Sequence, residues 1–465
     1  MIYHAYQTQE RVLNPMREAA LLAAPGLHDL NTWGLNPFNP LSPLRRFAAA
    51  CEVFSLARLT HRRPEFGIES VMCGKRELQV TEEVVHSTPF ATLLRFRKHT
   101  SAVQPRVLIV APMSGHFATL LRETARTMLR DHDVYITDWH NARDVPMEAG
   151  RFGIDEYIDH IIEFLNVMGP GAHLVAICQP CVEALAAVAV MAEDKHPATP
   201  HSLTLMAGPI DCRVNPTGVN QLATSKPMSW FEHNLIEHVP VQFAGMRRRV
   251  YPGFVQLSAF LNMNLQRHIK SFKDYYHQIV EGEHEKAAAT RRFYEEYFAV
   301  SDLSADFYLE TVKLVFQEHA LARGKLKWRD RLIHPQAIRR RIEVHVGRAG
   351  VERHQAAHLA AFAVVSKRER GFDLLVTILG ADHHASQSDH GREPATASAR
   401  RPRRCATRQT SRRCSRHPRP GRRRAPRRAL VHWTQRWTWW RAAACACSES
   451  TTEICVRRAN FRRLS

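Results

Sequence analysis

Cys178 lies where an apolar run, Ala172-His-Leu-Val-Ala-Ile177, meets a helix-like run, Val182-Glu-Ala-Leu-Ala-Ala-Val-Ala-Val-Met-Ala192. A reactive side chain on a sharp strand-to-helix turn is the nucleophile-elbow arrangement, in which the backbone N–H after the nucleophile helps to hold an oxyanion. The helix N-terminus there also favours a thiolate. The serine version, Gly-x-Ser-x-Gly, is absent, and the chain reads Ala176-Ile-Cys178-Gln-Pro180 instead. On spacing alone two readings stand: a nucleophile, or a cysteine used as a small buried hydrophobe.

The other cysteines narrow the chemistry. There are ten, without paired metal-ligand spacing. Cys178-x-x-Cys181 has the form of a redox pair but lacks a second such motif and other thioredoxin features. A reducing, cytoplasmic setting is the simplest expectation. No apolar run approaches the roughly 18 residues needed to span a bilayer, and the start, Met1-Ile-Tyr-His-Ala-Tyr, lacks the basic-then-apolar layout of a secretory signal.

The elements that must position Cys178 alternate. From about residue 66 to 210, short apolar strands interleave with longer helical patterns, which predicts a mostly parallel sheet flanked by helices. The strand candidates are Leu93–Phe96, Val107–Val110, Val134–Thr137, His173–Ile177 and Ser202–Met206; helices are expected over Thr119–Leu129, Ile154–Val167 and after Cys178. Strand C-termini then share one edge, where open α/β sheets bind ligands. Residues 1–65 read as a helical and loop segment broken at Asn36-Pro-Phe-Asn-Pro-Leu-Ser-Pro43, and residues 66–214 as the first part of the α/β core. Residues 215–325 are aromatic-rich and mainly helical, read as a cap insertion, with an aromatic core stripe as the competing reading for most single positions. Residues 326–390 are expected to complete the core, with a late strand at Leu374–Leu379 followed by Gly380-Ala-Asp-His-His384.

With 465 residues, the chain has ample length for a substantial core. Its net charge of +20 is concentrated at one end: residues 391–465 hold 21 arginines and 3 acidic residues, leaving 44 basic and 42 acidic residues in the rest. This tail has no lysine and crowds Arg, Ala, Pro and Cys, as in Gly421-Arg-Arg-Arg-Ala-Pro-Arg-Arg428. Such composition cannot bury enough apolar surface to fold. Its readings are a disordered basic arm for polyanions, a solvated tail without a role, or out-of-frame translation of GC-rich coding sequence; the abrupt change in composition favours the last.

Over about residues 2 to 338 the chain resembles the intracellular poly(3-hydroxybutyrate) depolymerases, relatives of the polyhydroxyalkanoate synthases within the α/β-hydrolase fold. The resemblance rests on Val110-Ala-Pro-Met-Ser-Gly-His116, Val134-Tyr-Ile-Thr-Asp-Trp139, Asn141-Ala-Arg-Asp-Val-Pro146 and Ile177-Cys-Gln-Pro180. It continues through Met206-Ala-Gly-Pro-Ile-Asp211, Asn215-Pro-Thr-Gly-Val-Asn-Gln-Leu-Ala223 and Arg249-Val-Tyr-Pro-Gly-Phe-Val-Gln256.

The resemblance implies that Cys178 is the nucleophile of a Cys-His-Asp mechanism; Cys181, three residues on in the first helical turn, is expected to be structural. It implies attack on the ester carbonyl of a 3-hydroxyacyl chain, followed by hydrolysis of the acyl-thioester. Backbone N–H groups of Gln179 and of the Met113-Ser114 turn are the expected oxyanion donors. His116 is weighed as an entrance residue against a plain loop histidine. The family's acid lies in a loop rich in Asp and Glu after a late strand; here Arg341-Ile-Glu-Val-His-Val346 is followed by Gly347-Arg-Ala-Gly-Val-Glu352, with no Asp. Glu352 is the nearest substitute, weighed against an ordinary solvated charge. The family's Gly-x-Gly-His-Tyr-Gly loop is matched only in Gly380 and His383, so His383 is the expected general base, with His384 and His390 as fallbacks.

The leading expectation is therefore a poly(3-hydroxybutyrate) depolymerase associated with polyhydroxyalkanoate granules in the cytoplasm, binding polymer through apolar surface. No metal or organic cofactor, specific nucleic acid or membrane span is implied. The alternatives are a non-catalytic granule-associated protein, because the acid position and C-terminus depart from the pattern, and a synthase-like acyltransferase. Nucleic-acid binding through the Arg-rich tail is a further one.

Overall fold

The computed structural model describes residues 2–32, 43–214, 216, 218–339, 341–346 and 374–378. Its centre is a mixed, mostly parallel sheet of nine strands. In chain order the first seven are β1 (Ser70–Cys73), β2 (Arg76–Ser87), β3 (Ala91–Lys98), β4 (Arg106–Val110), β5 (Asp133–Trp139), β6 (His173–Ile177) and β7 (Ser202–Met206). Their spatial order is β1-β2-β3-β5-β4-β6-β7, continued by the strands Arg341–Val346 and Leu374–Ile378. The strands from β5 onward pair in parallel, whereas β1, β2 and β3 form an antiparallel edge.

The central strands β4 and β6 are buried at all but their first residues, as expected of parallel strands covered on both faces. β5 is likewise buried after Asp133. By contrast, β2 is largely exposed and rich in Glu, and its alternation is too polar to have predicted a strand. Gly74, at φ +63°, makes the two-residue turn in which Cys73 pairs with Arg76. Glycine enters that left-handed region without the steric cost of a Cβ.

Helices α1 (Ile2–Thr32) and α2 (Pro43–Leu56) precede the sheet, while α3 (Arg122–Leu129), α4 (Ile154–Met168) and α5 (Cys181–Glu193) connect its parallel strands. The predicted helix over Thr119–Leu129 is divided into a short 3-10 turn, Ala118–Leu121, and α3. Helix α5 is buried from Cys181 through Met191, so it has no solvent face over that length. Its alanines permit close packing, and its one acidic residue in that stretch, Glu183, is buried too.

Between β7 and the strand Arg341–Val346 come α6 (Gly218–Ser225), α7 (Met228–Leu235), α8 (Gly253–Met263), α9 (Leu265–Glu281), α10 (His284–Tyr297) and α11 (Ala305–Glu310). Many of their aromatic residues form a core of their own. Tyr275, Tyr294, Tyr297 and Phe298 pack with Leu257, Ile279 and Val280, and with Ala49 and Leu56 of α2. Phe272 and Phe293 lean on that cluster and are only partly buried. No helix of the described residues is long and apolar enough to cross a membrane.

Candidate active site

The turn between β6 and α5 places Cys178 at the carboxyl edge of the parallel sheet. Cys178 has φ +68°, in the left-handed region that side chains bearing a Cβ rarely occupy. Two backbone contacts hold the bend: the Cys178 N–H donates to the Met206 carbonyl at 2.7 Å, and the Cys181 N–H donates to the Cys178 carbonyl at 3.3 Å. Backbone strain of this kind persists only where surrounding structure over-determines it, and it clusters at functional sites. The Cys178 side chain is partly buried, and it forms no disulfide.

Cys181 has a different environment. It has no solvent exposure, and its Sγ lies 3.4 Å from the Ala176 carbonyl and 3.7 Å from that of Met206. Burial pushes its thiol far above the usual range, so it remains protonated and unreactive. The two thiols of the Cys-x-x-Cys spacing thus occupy opposite chemical situations.

Adjacent β4 ends at Val110, opposite Ala176 of β6. The following Ala111-Pro-Met-Ser-Gly-His116 turn therefore emerges beside the elbow. Its first residue is held from three directions: the Ala111 N–H donates to Thr137 Oγ1 at 2.9 Å, while its carbonyl accepts from Trp139 Nε1 at 2.8 Å and Tyr157 OH at 3.1 Å. At the other end Gly115 has φ +81° and receives the Ser301 N–H at 2.9 Å. The Gln256 side chain packs so closely there that a Cβ on Gly115 would meet its amide oxygen at 2.7 Å.

The expected oxyanion donors fall at this junction. The Met113 N–H is directed at the side-chain oxygen of Gln179, 3.4 Å away. The Gln179 amide nitrogen in turn donates to Glu183 Oε1 at 2.9 Å. Ser114 belongs to the same turn. Glu183 is fully buried, and burial pushes its carboxyl up to about 8, so it is protonated at neutral pH. Its Oε2 has no hydrogen-bond partner among the described residues. Sequence reading passed over Glu183, although a lone acid inside Val182-Glu-Ala-Leu-Ala-Ala-Val was a visible signal.

His116 is buried, with Nε2 3.1 Å from the Tyr297 carbonyl and its ring against Phe260 of α8 and Tyr297 of α10. Burial lowers its pKa to about 4, which makes it a poor proton acceptor near neutrality. It joins the turn after β4 to the helical region rather than lining an open entrance. Glu352, His383, His384 and His390 lie outside the described residues. No cluster of His, Cys, Asp and Glu suited to a metal ion occurs among the described residues.

Residues 207–369 match a family model described as "PHB de-polymerase C-terminus". No curated protein matches the chain. Among solved structures, a thioesterase domain from the curacin biosynthetic pathway is 11% identical, with 65% of this chain and 93% of that one covered and a TM-score of 0.35. The 2-hydroxy-6-oxo-6-phenylhexa-2,4-dienoate hydrolase of Rhodococcus sp. strain RHA1 is 13% identical over 65% of this chain and 91% of its own, with a TM-score of 0.32. An enol-lactonase from Burkholderia xenovorans LB400 is 8% identical over 66% and 90%, respectively, with a TM-score of 0.32. The family match and the sheet with its elbow together support a hydrolase-type enzyme.

Proposed function

We propose that this PHB depolymerase-like α/β-hydrolase cleaves ester bonds of stored poly(3-hydroxybutyrate) through an acyl-thioester on Cys178. The observation that carries the reading is the left-handed backbone of Cys178, held between β6 and α5 by the Met206 carbonyl. A thiol on such a bend projects at the sheet edge, next to a helix N-terminus that favours its anion.

The reaction divides into two steps. The Cys178 thiolate attacks the ester carbonyl, the C–O bond breaks, and the alcohol end of the polymer leaves with a proton. Water then attacks the thioester, releasing a hydroxyacyl carboxylic acid and restoring the thiol. Gln179 and the Met113-Ser114 turn are proposed to stabilise the oxyanion of each tetrahedral intermediate. A charged oxyanion is a stronger acceptor than an amide oxygen, so it can share the Met113 N–H, whose contact with Gln179 Oε1 is a long 3.4 Å. His383 is proposed as general base and Glu352 as its acid partner. The substrate is the polymer of a cytoplasmic granule, reached by apolar surface rather than charge.

The departure at Gly347-Arg-Ala-Gly-Val-Glu352, where no Asp stands, favours one competing reading: a granule-bound protein without activity. Incubating the full chain and Cys178→Ala with native amorphous granules, and separately with hydroxybutyryl-CoA, decides among the readings. Acid release lost in Cys178→Ala supports the hydrolase. CoA release supports a synthase-like transferase, and identical low turnover by both proteins supports the inactive reading.

A further inference from the structure

We propose that Glu183 is a positioning residue of the Cys178 site, holding the Met113 turn in place through the side-chain amide of Gln179. The inference rests on the reading of Cys178 as nucleophile and adds a group that does not itself touch substrate. Three observations converge on it. Gln179 immediately follows Cys178, and its amide spans the gap between α5 and the turn after β4, donating to Glu183 Oε1 at 2.9 Å and accepting from the Met113 N–H at 3.4 Å. Glu183 is fully buried in a helix that is otherwise apolar over Cys181–Met191, a position where an acid is costly unless it has a task. Its second oxygen, Oε2, is buried without a hydrogen-bond partner among the described residues, so nothing else there explains the carboxyl.

The relay works in one protonation state. Neutral Glu183 accepts from Gln179 without placing a charge in the first turn of α5. Once ionised, it is an uncompensated buried anion near the sites of the thiolate and the oxyanion, and like charges oppose both. The ionisable groups facing it are the Tyr157 phenol of α4 and the Cys181 thiol, both kept neutral by burial. β6 adds only His173 at its far end, bound to Ser202 at 2.8 Å. β7 and the Pro335–Ala337 turn, which also pack on α5, bring no ionisable side chain.

The test measures first-turnover release of p-nitrophenolate from p-nitrophenyl butyrate by the full chain across neutral and alkaline pH. Acyl-Cys178 is followed by mass spectrometry. Thiolate formation raises every rate with pH, so the readout is the ratio of wild type to Glu183→Gln. We expect parity near neutrality and a fall of about tenfold above the titration of Glu183, the scale of a sub-ångström misplacement at a reacting centre. Glu183→Leu should be slower at every pH, chiefly in kcat, with Glu183→Gln restoring the loss. Gln179→Ala severs the same relay from the other side and should slow acylation near neutrality as Glu183→Leu does, which keeps the test valid if a Glu183 variant does not fold. A flat ratio, with Cys178 acylated normally, overturns the relay and leaves the nucleophile standing. Absence of acyl-Cys178 in wild type at any pH overturns both.

Discussion

Gly208, two residues past β7, sits directly against Cys181, the first residue of α5. A Cβ on Gly208 would fall inside the van der Waals envelope of the Cys181 Cβ and Sγ, and 3.1 Å from the Cys178 carbonyl. The elbow is therefore braced by a neighbouring strand end that has no room for a side chain. The thiol at 181 fills the remaining space.

Gly208→Ala should thus destabilise the protein by about 1–3 kcal/mol, the usual range for overpacking a close contact. It should also slow Cys178 acylation, because the displaced atoms include the elbow carbonyl. Urea unfolding and the first-turnover assay check the two effects separately. A stable variant with unchanged acylation would show that the strand end does not brace the elbow.

Cys178 carries a stability cost that substitution can reveal. Cys178→Gly should abolish acylation yet raise stability by roughly 1 kcal/mol, since φ +68° suits glycine. Cys178→Val should lose both, because a β-branched side chain tolerates that region worst. Thermal melting of the three proteins orders them Gly above wild type above Val.

Glu183 also predicts a pH dependence of folding. Its folded value of about 8 lies above the ordinary 4.5, so between those values the folded chain holds a proton that the unfolded chain has released. Stability contributed by the neutral carboxyl is full below about 4.5 and declines as pH rises through 8, by on the order of a few kcal/mol. Glu183→Gln does not titrate and should show a flatter alkaline side in urea unfolding. Parallel curves for the two proteins would contradict this.

The buried histidines act in the opposite direction. His116 is lowered to about 4 and His61 to about 3, each chiefly by burial, and the nearby Arg143 lowers His61 further. The unfolded chain then takes up protons first, so stability is complete above about 6.5 and is lost as pH falls toward 4 and 3. His116→Asn should soften the acid transition seen by circular dichroism, although it loses ring contacts with Phe260 and Tyr297.

Much of the scaffold was legible because its signals are local. The runs at Val107–Val110 and His173–Ile177 are short, apolar and bounded by helical patterns, and they became β4 and β6 with little change. The β1–β2 hairpin was not legible. β2 is polar and largely exposed, and what defines it is pairing: its Val80–Lys98 and Ser87–Thr92 partners on β3 cannot be read from Arg76-Glu-Leu-Gln alone. Aromatic residues of the 215–325 region illustrate the same limit. Tyr294 and Phe298 entered a common core with Leu56 of α2, a contact remote in sequence.

Composition and spacing by themselves determined that the body of this chain is near neutral, that its positive charge gathers at residues 391–465, and that a cysteine follows the apolar run Ala172–Ile177. Those properties depend only on residue type and order. Tertiary structure decided which cysteine is strained and partly accessible, which is sealed, and that Glu183 reaches Met113 through Gln179. The reason is that the left-handed bend at Cys178 and the burial of Cys181 arise from the registry of β6 with β7 and the close approach of Gly208. These relationships join segments about thirty residues apart or more, and they exist only once the sheet has assembled.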